Sequence, residues 1–81
     1  MNAQQENLAE ELVNRDFSLT EDSDAVVYDK YTREGSESVT IFPQRNVALH
    51  ERWNKHGILI SNFRYDISRP TEMTQLLSLV H

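Results

Sequence analysis

The middle of this chain is cut into short pieces by turn-forming residues, and that punctuation constrains the fold more than any other feature. Glu21-Asp22-Ser23-Asp24 reads as a turn, because short Asx and Ser side chains hydrogen-bond their own backbone. Arg33-Glu34-Gly35-Ser36-Glu37 is built around one of the two glycines, and Asn54-Lys55-His56-Gly57 holds the other. Between them, Pro43 lacks the N–H that a continuing strand would need. The intervening pieces, Ala25–Thr32, Ser38–Phe42, Asn46–Trp53 and Ile58–Tyr65, are rich in Val, Ile and aromatic residues and read as strands. Asn46–Trp53 also fits two helical turns, but Val47, Leu49, Glu51 and Trp53 alternate, so strand is the reading adopted. The run Ile58-Leu59-Ile60 suggests burial on both faces at that strand's start. Phe17 and Leu19 alternate with Ser18 and Thr20 as a further short strand. Strands joined by such short turns pair as antiparallel hairpins.

Both ends of the chain change period. Gln4–Asn14 has no Gly or Pro, and Leu8, Ala9, Leu12 and Val13 recur at helical spacing, with Asn14 as a left-handed stop. Near the other end, Pro70 suits a first helical turn, and Met73, Leu76, Leu77 and Val80 form an i, i+3, i+4, i+7 stripe. The expected fold is therefore α+β and two-layered: an antiparallel meander of four to five strands with an N-terminal and a C-terminal helix packed on one face. Its expected core is Leu8, Leu12, Val13, Phe17, Val27, Val39, Ile41, Leu49, Ile58, Ile60, Phe63, Met73, Leu76, Leu77 and Val80. At 81 residues, the expectation is one domain spanning 1–81. His81 is expected to fray.

Several functional classes are set aside by what is missing. The sequence contains no cysteine, which excludes a disulfide scaffold and a thiolate zinc site. No apolar run approaches the roughly 20 residues of a membrane helix, and Met-Asn-Ala-Gln-Gln-Glu has neither the basic nor the apolar part of a signal peptide. A cytoplasmic location is the expectation. His50, Glu51 and His56 are the metal candidates, but a turn between the two imidazoles and the wrong spacing argue against the two-histidine helix motif. No Gly-x-Ser-x-Gly elbow or glycine-rich phosphate loop is present. Glu21, Asp22 and Asp24 lack the glycine and distal glutamate of a calcium loop. The expectation is a non-enzymatic protein with no catalytic residues, no metal and no cofactor.

Charge supplies the functional hypotheses. The formal net charge of −5 is uneven: residues 1–37 carry ten acidic side chains against three basic ones, and residues 38–81 carry three against five. Glu10, Glu11, Glu21, Asp22, Asp24, Asp29, Glu34 and Glu37 are expected to form an acidic ridge. Such a ridge would meet a protein partner at a surface built to hold phosphates, as an inhibitor or regulator of a nucleic-acid-handling complex of phage or mobile-element type. The alternative is a nucleic-acid-binding module using Arg45, Arg52, Trp53, Lys55, Arg64 and Tyr65, since cations meet phosphate and aromatics stack on bases. A homo-oligomeric accessory protein and a small metal-dependent enzyme are further alternatives. A homodimer is an open option through a strand edge, at Ala25–Thr32 or Ile58–Tyr65.

Overall fold

The computed structural model describes residues 1–80, so the expectation for His81 lies outside them. The elements run α1 (Ala3–Asn14), β1 (Ser18–Asp22), β2 (Val26–Thr32), β3 (Gly35–Phe42), β4 (Val47–Asn54), β5 (Leu59–Asp66) and α2 (Pro70–Leu79). The five strands form one antiparallel sheet in the order β1-β2-β3-β4-β5, a simple meander with a helix at each end of the chain.

The helix α1 begins with a capping box. The Asn2 side chain accepts from the Gln5 N–H, and the Gln5 side chain accepts from the Asn2 N–H. Its stop falls beyond Asn14: Arg15 is the C-cap, and Asp16 takes the left-handed conformation at φ 71°, which a short polar side chain tolerates. The next turn is also displaced from its expected place. Glu21 and Asp22 belong to β1, paired with Val27 and Val26, and the turn is confined to residues 23–25. Gly35 opens β3 rather than sitting inside a loop, and Thr32 pairs directly with it.

Cross-strand registers show which side chains share a face. One row runs Leu19, Tyr28, Val39, His50, Phe63, and the next runs Asp22, Val26, Ile41, Ala48, Tyr65. Both helices lie over this side. The core is Leu8, Ala9 and Leu12 of α1, Phe17, Val26, Tyr28, Val39, Ile41, Ala48, Tyr65, Ile67, and Leu76 and Val80 at the end of the chain. Met73 and Leu77 are only partly buried against it.

Several expected core residues are placed elsewhere. Val27 and Leu49 point to the opposite side of the sheet and are half-buried, because strand side chains alternate and the helix-covered positions went to Val26, Tyr28, Ala48 and His50. Val13, Ile58, Ile60 and Phe63 are exposed. The last three belong to β5 or its approach, and β5 is an edge strand with a strand neighbour on one side only.

The helices run side by side in one direction. Gln5 Nε2 donates to the Pro43 carbonyl, and the Ile67 N–H donates to the Asn46 carbonyl, so both helices start at the β3–β4 turn. At the other end, the Arg15 guanidinium donates to the Leu77 and Val80 carbonyls and ties the two C-termini together. A cation among the last carbonyls of a helix also suits its dipole.

Candidate interaction surfaces

The structure divides the expected acidic ridge. α1 lies on the β1 side of the covered face, since α1 contacts β1 and α2 contacts β5. The buried stripe of α1 is Gln5, Leu8, Ala9 and Leu12. Helical spacing then sets Glu6, Glu10 and Val13 on the flank away from α2, and Glu11 with Arg15 on the flank toward it. Glu11 pairs with Arg15 at 3.7 Å. Along the β1 edge, Glu21, Asp22 and Asp24 are exposed. Glu10, Glu21, Asp22 and Asp24 therefore belong to one edge of the molecule, to which Glu6 and Asp16 add. Residues 1–25 carry seven acidic side chains and one basic one.

Asp29, Glu34 and Glu37 are outside that edge. Asp29 lies on the uncovered side of β2 and accepts from the Thr20 hydroxyl at 2.6 Å. Glu34 is at the tip of the β2–β3 turn. Glu37 is no surface acid: it is buried on the covered side of β3, where its Oε2 lies 2.5 Å from Nε2 of His50. Sequence alternation alone counted Glu37 as a loop residue, because Gly35 was placed in the loop rather than at the strand's first position.

The six residues of the nucleic-acid reading do not form one patch, although Arg52 and Trp53 border one cleft and Arg45 and Arg64 another. Arg52 is on the covered face, in the row Lys30, Glu37, Arg52, so two cations flank one buried carboxylate. Lys30 also lies over the Phe17 ring, 5.6 Å from its centre. A shallow cleft of about 360 Å³ opens there, with Lys30, Glu34, Glu37, Arg52 and Ile60 among its walls. Its charges are mixed, which is the wrong environment for a phosphate chain. Trp53 and Arg64 point to the uncovered face, in company with the acids Asp29, Glu51 and Asp66. Arg45 sits in the β3–β4 turn and Lys55 in the β4–β5 turn, at opposite ends of β4. Tyr65 is buried, and burial raises its pKa above the ordinary 10.0.

Two further groups are electrostatically tuned. Tyr28 is shifted upward by burial and then by the neighbouring Asp22 carboxylate, which shares its face of the sheet. Asp66 is shifted downward: the Ser68 hydroxyl and N–H both donate to its carboxylate, and Arg69 and Arg64 add attraction. Among the described residues, no group of three or more His, Asp or Glu side chains is placed to hold a metal ion. His50 and Glu51 are consecutive on β4 and point to opposite faces, and His56 is in the following turn.

Sequence reasoning missed two exposed apolar groups. Val13 is 55% exposed and Leu19 50%, both on the acidic α1–β1 side. The second is at the other edge, where Ile58, Leu59, Ile60 and Phe63 are all exposed. Alternation marks these residues as apolar but cannot say that their strand ends the sheet. Comparison with known protein families, with characterised proteins and with solved structures found no match. No helix is long and apolar enough to cross a membrane, among the described residues.

Proposed function

We propose that this protein is a non-enzymatic binding protein that docks through its α1–β1 edge on a cationic surface of a macromolecular partner. The observation that carries the reading is the pairing of two chemistries on one edge. Val13 and Leu19 offer apolar contact, and Glu6, Glu10, Glu21 and Asp22 add exposed carboxylates along the same edge. Protein interfaces are commonly built this way, with an apolar centre inside a charged rim. The charged rim accelerates encounter and selects partners of opposite sign, while the apolar centre supplies affinity. In its sharpest form, the partner is a protein of a nucleic-acid-handling complex. The carboxylates would occupy the positions where phosphates otherwise sit, making the protein an inhibitor or regulator.

The test is capture of partners from the native host by the immobilised chain, beside a variant carrying Glu10→Lys, Glu21→Lys, Asp22→Lys and Asp24→Lys. Capture should fall in roughly 0.5 M salt, where exposed charges are screened within about 4–5 Å, and should fail with the reversed variant. The captured partner should lose nucleic-acid binding as the protein is titrated in. Capture that ignores both salt and charge reversal would overturn the reading. So would tight binding of a labelled oligonucleotide by the protein alone, lost on Arg52→Ala with Arg64→Ala.

A further inference from the structure

The two edges of the sheet differ in length and in the side chains they present. β1 is five residues long, carries Glu21 and Asp22, and is broken by a bulge between Leu19 and Glu21. Short length, charge and a bulge are the devices that keep an edge from pairing with another chain. β5 is eight residues long and presents Ile60 and Phe63, each 56% exposed, with Leu59 and the adjoining Ile58; its one irregularity falls at Ile60, and the ladder from Ser61 to Asp66 is regular. A long apolar edge of this kind is a template for strand addition.

The register identifies which backbone groups that template offers. Since the Ile67 N–H donates to the Asn46 carbonyl, positions 46 and 67 are a hydrogen-bonded pair. Alternation along the ladder then directs the amides of Phe63 and Tyr65 toward β4, and those of Asn62, Arg64 and Asp66 outward. The Asp66 N–H is already used, because it donates to Glu72 Oε1 at 3.0 Å. Asn62 and Arg64 stand symmetrically on either side of Phe63.

We propose that β5 pairs antiparallel with β5 of a second copy of this chain, about a two-fold axis at Phe63. The inference stands independently of the proposed function. In this register Asn62 faces the partner's Arg64, and Arg64 faces the partner's Asn62, so the outward groups of both residues are satisfied at once. Phe63 meets the partner's Phe63 in a non-hydrogen-bonded pair, where side chains approach most closely and aromatic pairs stabilise a sheet. No charge directly faces its like, and Arg64 is balanced by Asp66 of its own strand. The self-complementarity of the Asn62–Phe63–Arg64 triplet is what favours a second copy over an unrelated strand. Charge acts in the same direction: the two chains join at the edge away from their acids. The assembly is a ten-stranded sheet with an acidic edge at each outer end.

Sedimentation equilibrium of the full chain, from micromolar to near-millimolar concentration, tests the proposal. A closed dimer is expected, and Phe63→Lys should weaken it by roughly thirtyfold or more, the scale of an interface hot spot. Asn62→Pro should do the same while keeping the fold, because the N–H it removes points away from β4. Since the chain lacks cysteine, Phe63→Cys introduces a single thiol at the axis. The Cα separation of about 4.5 Å in a non-hydrogen-bonded pair is within disulfide range. Under mild oxidant this variant should form a covalent dimer much faster than Leu19→Cys on the β1 edge. A monomer at every concentration would overturn the proposal. Equal cross-linking of the two variants, a dimer insensitive to Phe63→Lys and Asn62→Pro, or open head-to-tail polymers joining β5 to β1 would do so equally.

Discussion

Glu37 and His50 reach diagonally across β3 and β4 on the helix-covered face, with Oε2 and Nε2 2.5 Å apart and side chains 8% and 2% exposed. The ring's other nitrogen, Nδ1, is buried without a hydrogen-bond partner. A buried hydrogen-bonded pair is costlier to halve than to replace whole, since the survivor keeps its desolvation and loses one of its partners. His50→Leu should therefore destabilise the fold by about 1–3 kcal/mol, measured by chemical denaturation. The double variant Glu37→Leu with His50→Leu should recover most of that loss, because neither polar group remains to be buried. A double variant as unstable as the single one would show that the pair shapes the strands rather than only satisfying each other's hydrogen bond.

This pair also shows where the sequence stops being legible. The α+β class, the hairpin order and both helices follow from periodicity and turn chemistry, and the strand expected over Asn46–Trp53 is β4, shifted by one residue. What a strand's sequence does not state is which alternate set faces the helices. On β4, Val47, Leu49 and Trp53 are the larger apolar set, yet Ala48 and His50 took the covered positions. The choice is fixed across strands: Val39 aligns with His50 and Ile41 with Ala48, so β3 dictates β4. For the acidic edge, the seven acids were visible in the sequence, but their separation from Glu37 and Asp29 depended on strand parity. Of the two strands the sequence offers as a free edge, Ala25–Thr32 lies inside the sheet between β1 and β3, while Ile58–Tyr65 is at the edge and exposed, against the double-sided burial that Ile58-Leu59-Ile60 suggests.

The two glycines should respond differently to alanine. At Gly35 the backbone has φ +144°, and an added Cβ would lie 2.0 Å from the Trp53 carbonyl oxygen and 2.9 Å from the Asn54 Cα. Those are backbone atoms of the paired strand, so relief requires moving β4 itself. At Gly57 φ is +79°, but a Cβ would meet nothing within 4 Å. Gly57→Ala should cost only the left-handed penalty of roughly 1–2 kcal/mol. Gly35→Ala adds a clash to its strain and should exceed about 3 kcal/mol, with weakened hydrogen-exchange protection along β3 and β4. Equal losses at the two sites would contradict the close approach of Gly35 to Trp53.

Asp66 gives stability a pH dependence of known sign. Its carboxylate accepts from the Ser68 N–H at 3.0 Å and from the Ser68 hydroxyl at 2.5 Å, and the Arg69 guanidinium lies 3.5 Å away. These hold its pKa below the ordinary 3.8. A carboxyl lowered in the folded state stabilises that state above the unfolded pKa, and the benefit is lost as pH falls through the folded value. The wild-type advantage over Asp66→Asn should therefore be constant near neutrality and shrink below about pH 4. Denaturation midpoints measured down the acid range check this, and Ser68→Ala should reproduce part of the effect. A difference that widens in acid would reverse the assigned direction.

Gln5 carries the join between α1 and the sheet. It is 1% exposed, and every polar atom of its side chain is engaged. Nε2 donates to the Pro43 carbonyl at 3.0 Å and to Asn46 Oδ1 at 2.9 Å, while Oε1 accepts from the Asn2 N–H at 3.2 Å. Asn46 is itself held at φ 54°, and its carbonyl accepts the Ile67 N–H that starts the approach to α2. One amide thus connects the α1 cap, the β3–β4 turn and the strand exit that feeds α2. Gln5→Leu retains bulk but strands the Pro43 acceptor, worth roughly 1–3 kcal/mol when left unsatisfied, and removes half of the capping box, while Asn46 Oδ1 keeps its Asn2 Nδ2 donor. A loss of about 2–4 kcal/mol is expected, against a change within roughly 0.5 kcal/mol for the exposed neighbour Gln4→Ala. Amide exchange should quicken first in α1 and at Ile67. Loss spread evenly over the sheet would mean that Gln5 contributes only bulk to the core.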